Sequence, residues 1–233
     1  MVAIVTGASR GIGKVIALEL ARLGYDLALV GRNGASLQEV AREAAGVRVC
    51  PIVADLAEAS SAGQIVEQTV RELGGVDVLV NCAGLPQKGP FTEVTPQQWD
   101  AVFAVNARAP YFLCQAALPH LIQSPKPIVI NISSVVGFKG YINQSVYASS
   151  KHALAGFTKV FAKEVQPYGI RVHLISPGGV ATEMVTQMRP DINPAELIQP
   201  EEIADLVRFL VTHKGNGTLD ELYIRRYSGL AFD

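Results

Sequence analysis

Seven short runs rich in β-branched residues recur along the chain, separated by longer stretches with helical periodicity. The runs are VAIV (2–5), DLALV (26–30), VRVCPIV (47–53), VDVLV (76–80), PIVINIS (127–133), IRVHLIS (170–176) and ELYIR (221–225). Helical patterns between them include 14–23, 64–73 and 146–165. The strands are nearly continuous in apolar residues, as expected when helices cover both faces of a sheet. Strand–helix alternation demands parallel pairing through right-handed crossovers. The expected fold is α/β: a doubly wound, seven-stranded parallel sheet with helices on both faces. No linker or repeat divides the chain, so 1–233 reads as one domain. The least regular stretch, 178–200, holds Met184, Met188 and three prolines and reads as a substrate-binding loop or lid.

Charge and cysteine usage narrow the partners. A net charge of −1 with 18% charged residues gives no basic footprint for nucleic acid or an acidic membrane. The longest apolar runs are strand-sized, so no bilayer span is expected. Val2–Val5 is too short for the apolar core of a signal peptide, and Arg10 follows at once. Cys50, Cys82 and Cys114 are odd in number and show no CxxC spacing, which reads as reduced thiols in a cytoplasmic protein. The four histidines are scattered, and no metal site is expected.

The first strand runs straight into TGASRGIG (6–13). A strand, a glycine turn and a helix make an anion site, because unpaired N–H groups and the helix dipole face the ligand. Gly7 allows the tight turn, while Gly11 and Gly13 admit a pyrophosphate and close helix packing. Such a turn opening a βαβ unit is the mark of a dinucleotide-binding Rossmann fold. Polar or glycine residues also end later strands: Asp55, Asn81 through Gly84, Ser133 and Ser134, and Pro177-Gly178. Together they point to a long ligand laid along the carboxyl edge of the sheet. The second strand ends in Gly31-Arg32 where an NAD-selective fold carries an acid. Arg32, with Arg10 from the turn, suits a 2′-phosphate and hence NADP(H).

Tyr147 and Lys151, in YASSK, stand one helical turn apart. A free phenol has a pKa of about 10. Lowering it by roughly three units takes about 4 kcal/mol, which an ammonium about 4 Å away would supply. On that reading Lys151 makes Tyr147 an acid–base group for a carbonyl/alcohol pair.

Jointly and in order, TGASRGIG, NCAG (81–84), VNARAP (105–110), NISS (131–134), YASSK (147–151) and SPGGVAT (176–182) resemble the short-chain dehydrogenase/reductase family. The resemblance implies Asn106, Ser134, Tyr147 and Lys151 as catalytic residues. Tyr147 would be the proton donor and Ser134, thirteen residues earlier, would bind the substrate oxygen. Lys151 would bind ribose and tune the phenol, and Asn106 would hold a relay water. The cofactor residues implied are Gly7, Ser9, Arg10, Gly11, Ile12, Gly13, Arg32, Asp55, Leu56, Asn81, Ala83, Gly84, Tyr147, Lys151, Pro177, Gly178, Val180 and Thr182.

The reaction implied is NADPH-dependent reduction of a small ketone or aldehyde. Three alternatives stay open. GFKGYINQSVY (137–147) looks like 3-oxoacyl-thioester reductases, although the DELYIRRYSGLAFD end lacks the Asp-Gly-Gly segment of many acyl-carrier reductases. The others are oxidation of a sugar, hydroxy acid or amino alcohol, and a non-catalytic NADP-binding regulator. The expected substrate walls, 85–91, 135–146 and 178–200, contain Phe91, Phe138, Tyr141, Met184 and Met188. Lys88, Lys139 and Arg189 are candidate cations there, more simply read as solvated. The helices near 107–123 and 146–165 carry apolar residues on more than one face, so each is expected to be buried twice; the resemblance implies that they pair across a two-fold, giving a homotetramer, with a homodimer second.

Overall fold

Strand β1 (Val2–Thr6) is buried along its whole length, because its alternate side chains enter two separate cores. Ala3 and Val5 join one, and Val2 and Ile4 join the other. The structure, a computed structural model, describes residues 1–188 and 192–229, and at 187 and 188 the backbone alone. The remaining elements in chain order are α1 (Gly11–Arg22), β2 (Asp26–Gly31), α2 (Gly34–Glu43), β3 (Val49–Val53), α3 (Ser61–Leu73) and β4 (Val78–Asn81). Then come α4 (Pro96–Phe103), α5 (Ala109–Leu121), β5 (Ile128–Ile132), α6 (Ser145–Val165), β6 (Arg171–Pro177), α7 (Glu183–Met188), α8 (Pro200–Thr212) and β7 (Glu221–Ile224).

The strands form one parallel sheet in the order β3-β2-β1-β4-β5-β6-β7. Helices α1, α2 and α8 bury Ile16, Leu20, Leu37, Val40, Val207 and Leu210 on one face. Helices α3, α5 and α6 bury Ile65, Leu113, Leu121 and Phe161 on the other. The chain reverses its winding between β3 and β4, so β1 is flanked by β2 and β4. Loops leaving β1 and β4 diverge there and leave a crevice at the carboxyl ends.

Local signals set the element ends. Thr95 and Gln98 form a capping box at α4, with Pro96 at its first turn. Asn33 caps α2 by accepting from Ser36 N at 3.1 Å. Between α4 and α5 the chain makes a π-helical turn, Ala104–Arg108, which periodicity did not foretell. Within 178–200, expected to be irregular, α7 forms and Val180 bridges Ile198. Arg189, a candidate cation, lies outside the described residues.

Candidate active site

The glycine turn after β1 is built by close approach. Gly7 has φ +68° and Gly11 φ +56°, both left-handed. A Cβ on Gly7 would stand 2.9 Å from Ala83 Cα, and one on Gly13 only 2.3 Å from Gly7 O. Thr6 ties the turn to the loop after β4: its Oγ1 accepts from Cys82 N at 3.0 Å and from Ala83 N at 3.1 Å. A hydroxyl ending the first strand was the signal for this residue, which sequence reasoning passed over.

A cavity of about 500 Å³ runs from this turn along the strand ends. Its lining includes Gly7, Ser9, Arg10, Gly11, Ile12, Gly13, Arg32, Asp55, Leu56, Ala83, Gly84, Tyr147, Lys151 and Thr182, all expected cofactor residues. Asn33 and Ser36 join them at the Arg32 end. Bare backbone at the turn, an open helix start and an elongated cleft fit a dinucleotide with its pyrophosphate at Gly11–Gly13. Asp55 accepts from Ala57 N at 2.9 Å, which holds the loop after β3. Arg10 forms an ion pair with Glu183 of α7, so it spans the cleft instead of pointing freely to a phosphate. Arg32 is exposed at the cleft wall.

One expected cofactor residue is turned away. Asn81 is buried, donates from Nδ2 to Asn131 Oδ1 at 2.8 Å, and is absent from the cleft lining. It clamps β4 to β5, because a buried amide must find polar partners.

A second cavity, about 430 Å³, shares Ile12, Ser133, Tyr147, Thr182 and Met184 with the first. Pro177, Gly178 and Val180 line it with Ser134, Val135, Tyr141 and Gln144. Phe91 and Phe138, expected in this wall, do not line it; Phe91 is 80% exposed and Phe138 packs edge-on to Tyr223. Tyr223, Arg225 and Arg226 were not expected but do.

Tyr147 stands where the cavities meet, and Ser134 lines the second of them beside it. The neighbouring Ser133 is instead buried and donates to Lys151 O at 3.4 Å. Lys151 is 3% exposed; its Nζ donates to Ile132 O at 2.9 Å and lies 5.9 Å from the centre of the Tyr147 ring. Burial pulls Lys151 down to about 8. The phenol departs from the sequence expectation: burial pushes Tyr147 up to about 12, against the downward pull of the Ser134 hydrogen bond. Desolvation of the anion therefore outweighs the protein groups that favour it.

Asn106 lies in the π turn, fully buried. Its Oδ1 accepts from Leu85 N at 2.7 Å, and its Nδ2 donates to Leu85 O and to Ser150 Oγ, both at 3.0 Å. Both amide hydrogens are thus spent on protein, and the side chain clamps the loop after β4 against α6.

The family model described as short chain dehydrogenase matches residues 1–193. An uncharacterised oxidoreductase of Staphylococcus epidermidis is 33% identical over 96% of both chains. The 3-oxoacyl-[acyl-carrier-protein] reductase of Aquifex aeolicus is 34% identical over 90% of this chain and 89% of its own. Among solved structures, a metagenomic short-chain oxidoreductase in complex with NADP superposes with a TM-score of 0.85, 35% identity and 97% coverage of each chain. Parallel strand order, glycine turn and the Ser134–Tyr147–Lys151 cluster agree with these likenesses, and the chain belongs to the short-chain dehydrogenase family.

Proposed function

We propose that this oxidoreductase reduces a small ketone or aldehyde with NADPH, with Tyr147 as the proton donor. The observation that carries the reading is Tyr147 at the junction of the two cavities, with Ser134 lining the second and Lys151 one turn along α6. When bound, the nicotinamide nucleotide supplies a hydride equivalent to the carbonyl carbon. Ser134 and Tyr147 hold the carbonyl oxygen, and Tyr147 gives it a proton as negative charge develops. A phenol held near 12 stays protonated at neutral pH, which suits the donor role. The Lys151 ammonium, fixed by Ile132 O, stabilises the phenolate left behind. Asn106 keeps the loop after β4 in place; a relay water of the kind the resemblance implies would use atoms other than its amide hydrogens. The 178–200 segment, with α7, would close the substrate side.

NADPH oxidation by the pure protein against ketones, aldehydes, diketones and β-oxoacyl thioesters tests the reading. Activity confined to thioesters would favour the second reading, 3-oxoacyl-thioester reduction, which the Aquifex likeness supports. No turnover of any carbonyl compound would overturn both. The pH dependence follows from Lys151. With NADPH saturating, kcat for reduction should be level from about pH 6 to 7.5 and fall above about 8, as the ammonium loses its proton. A rate rising through pH 9 would contradict this assignment.

Cofactor choice rests on Arg32 and on Gly31, which stands where an acid would repel a 2′-phosphate. NADPH should exceed NADH at least about tenfold in kcat/KM, equivalent to about 1.4 kcal/mol. Arg32→Ala should remove most of that ratio. It is a cleaner test than Gly31→Asp, because a Cβ on Gly31 would press to 3.3 Å from the buried Leu37. Equal use of both cofactors by the unaltered protein would rule out the 2′-phosphate role.

The apolar outer faces of α5 and α6 support self-association. Tyr111, Phe112 and Val160 are exposed, and the Tyr111 ring lies 4.9 Å from that of Phe157. A contiguous apolar face on two helices is covered most simply by its symmetric copy, which closes a dimer, and the family likeness adds a second pairing that makes the tetramer the first expectation, with a dimer second. Light scattering at micromolar concentration should give four or two chain masses; a monomer mass would refute it. No described helix is long and apolar enough to cross a membrane, and the free cysteines suit the cytoplasm.

A further inference from the structure

We propose that the substrate carries an anionic group, carboxylate or phosphate, beside its reacting carbonyl, and that Arg226 with Lys139 binds it. The proposal rests on the carbonyl-reductase reading and specifies its substrate class.

Lys139, Arg225 and Arg226 line the second cavity together with Ser134 and Tyr147, and no Asp or Glu does so among the described residues. The fold holds Arg226 there by backbone means. Gly178 N donates to Ile224 O at 2.7 Å, which lays the end of β7 along the Pro177–Gly179 turn. A Cβ on Gly179 would stand 3.9 Å from Arg226 Cδ, so the arginine stem lies near bare glycine backbone. Arg225 closes the following turn: its Nη1 donates to the carbonyls of Arg226, Tyr227 and Gly229. That guanidinium is committed to structure. Arg226 is half-buried, and its guanidinium makes no hydrogen bond or ion pair among the described residues. Lys139 is also half-buried, and its Nζ lies 5.8 Å over the Tyr223 ring. Its only partner among the described residues is that π face, which leaves its hydrogens free for an anion.

Cations half-withdrawn from water in one cavity, with no counter-charge in its wall among the described residues, raise the local potential and favour an anionic ligand. The planar fork of Arg226 suits the paired oxygens of a carboxylate or phosphate. A neutral carbonyl compound would leave both cations without a partner in this cavity.

Matched pairs test this with NADPH: 4-oxopentanoate and 6-oxoheptanoate against their methyl esters, and dihydroxyacetone phosphate against dihydroxyacetone. The better arm identifies the head group. The anion of at least one pair should exceed its neutral partner about 30-fold in kcat/KM, in line with charge-assisted hydrogen bonds. In Arg226→Gln that ratio should fall to within about threefold of one, through loss on the anion. Lys139→Gln should lower it less, and Arg226→Lys should restore part of it. Neutral partners reduced as fast as anions would overturn the proposal and leave the reductase reading standing. So would an equal loss on both members of a pair, which would assign Arg226 to the cofactor or the fold. If no compound in any arm is reduced, the wider carbonyl panel decides the reductase reading, and calorimetry of hexanoate against the NADPH complex decides the anion site. Binding that disappears in Arg226→Gln supports it; the same result in both proteins overturns it.

Discussion

Tyr147→Phe should lower kcat about a thousandfold while the Kd for NADPH stays within about threefold. The substitution removes one oxygen and keeps the half-buried ring. What is lost is the hydroxyl proposed as proton donor at the junction of the two cavities. General acid catalysis contributes about 10²–10⁴ to such steps. Because the deleted interaction matters chiefly as the oxygen gains charge, the loss should fall on kcat and kcat/KM alike. Stopped-flow reduction and NADPH fluorescence titration measure the two quantities. A variant retaining half the wild-type kcat would show that another group delivers the proton.

Gly13→Ala should weaken NADPH binding at least about a hundredfold and lower the Tm by roughly 5 °C. The new Cβ would fall 2.3 Å from Gly7 O and 2.7 Å from Gly7 C, both backbone atoms of the tight turn. Gly7 has no room to retreat on its other side, where it packs against Ala83. Overpacking of this kind costs about 1–3 kcal/mol, and about 2–4 °C of Tm per kcal/mol is usual for a chain of this size. Binding suffers more than stability because the displaced turn is the anion seat itself. Gly63→Ala, in α3 with nothing within 4 Å of the added Cβ, is the control: it should leave NADPH affinity unchanged and, as a Gly→Ala change in a helix, raise the Tm slightly if at all. Wild-type NADPH affinity in Gly13→Ala would mean that the turn does not hold the pyrophosphate.

The seven strands and the principal helices were legible because a doubly covered sheet imposes continuous apolar runs, and amphipathic helices impose their own period. The structure shifts their ends by only a few residues: the 47–53 run becomes Val49–Val53, and the 14–23 helix begins earlier, at Gly11. The glycine turn and the Tyr147–Lys151 pair were equally legible, since each is local in sequence and lies on one element. Less legible was everything that depends on which strand ends become neighbours. The π turn at Ala104–Arg108 carries no signature of its own; it positions Asn106 to clamp Leu85 from twenty-one residues away. Asn81 looked like a cleft residue by place in sequence, but one residue of strand register turns its side chain to Asn131.

Sequence alone thus determined the sheet order class, the anion-binding turn and the identity of the candidate proton donor, because short-range spacing and side-chain chemistry decide those. Tertiary structure decided the electrostatics and the walls. The phenol rises to about 12 because the fold buries it, an effect no i,i+4 spacing contains. Arg226 reaches the substrate cavity because β7 pairs with β6 and ends beside Gly178, although some fifty residues of chain separate them. Long-range pairing of this kind is set by how the whole sheet closes, and it determines which charges a substrate meets.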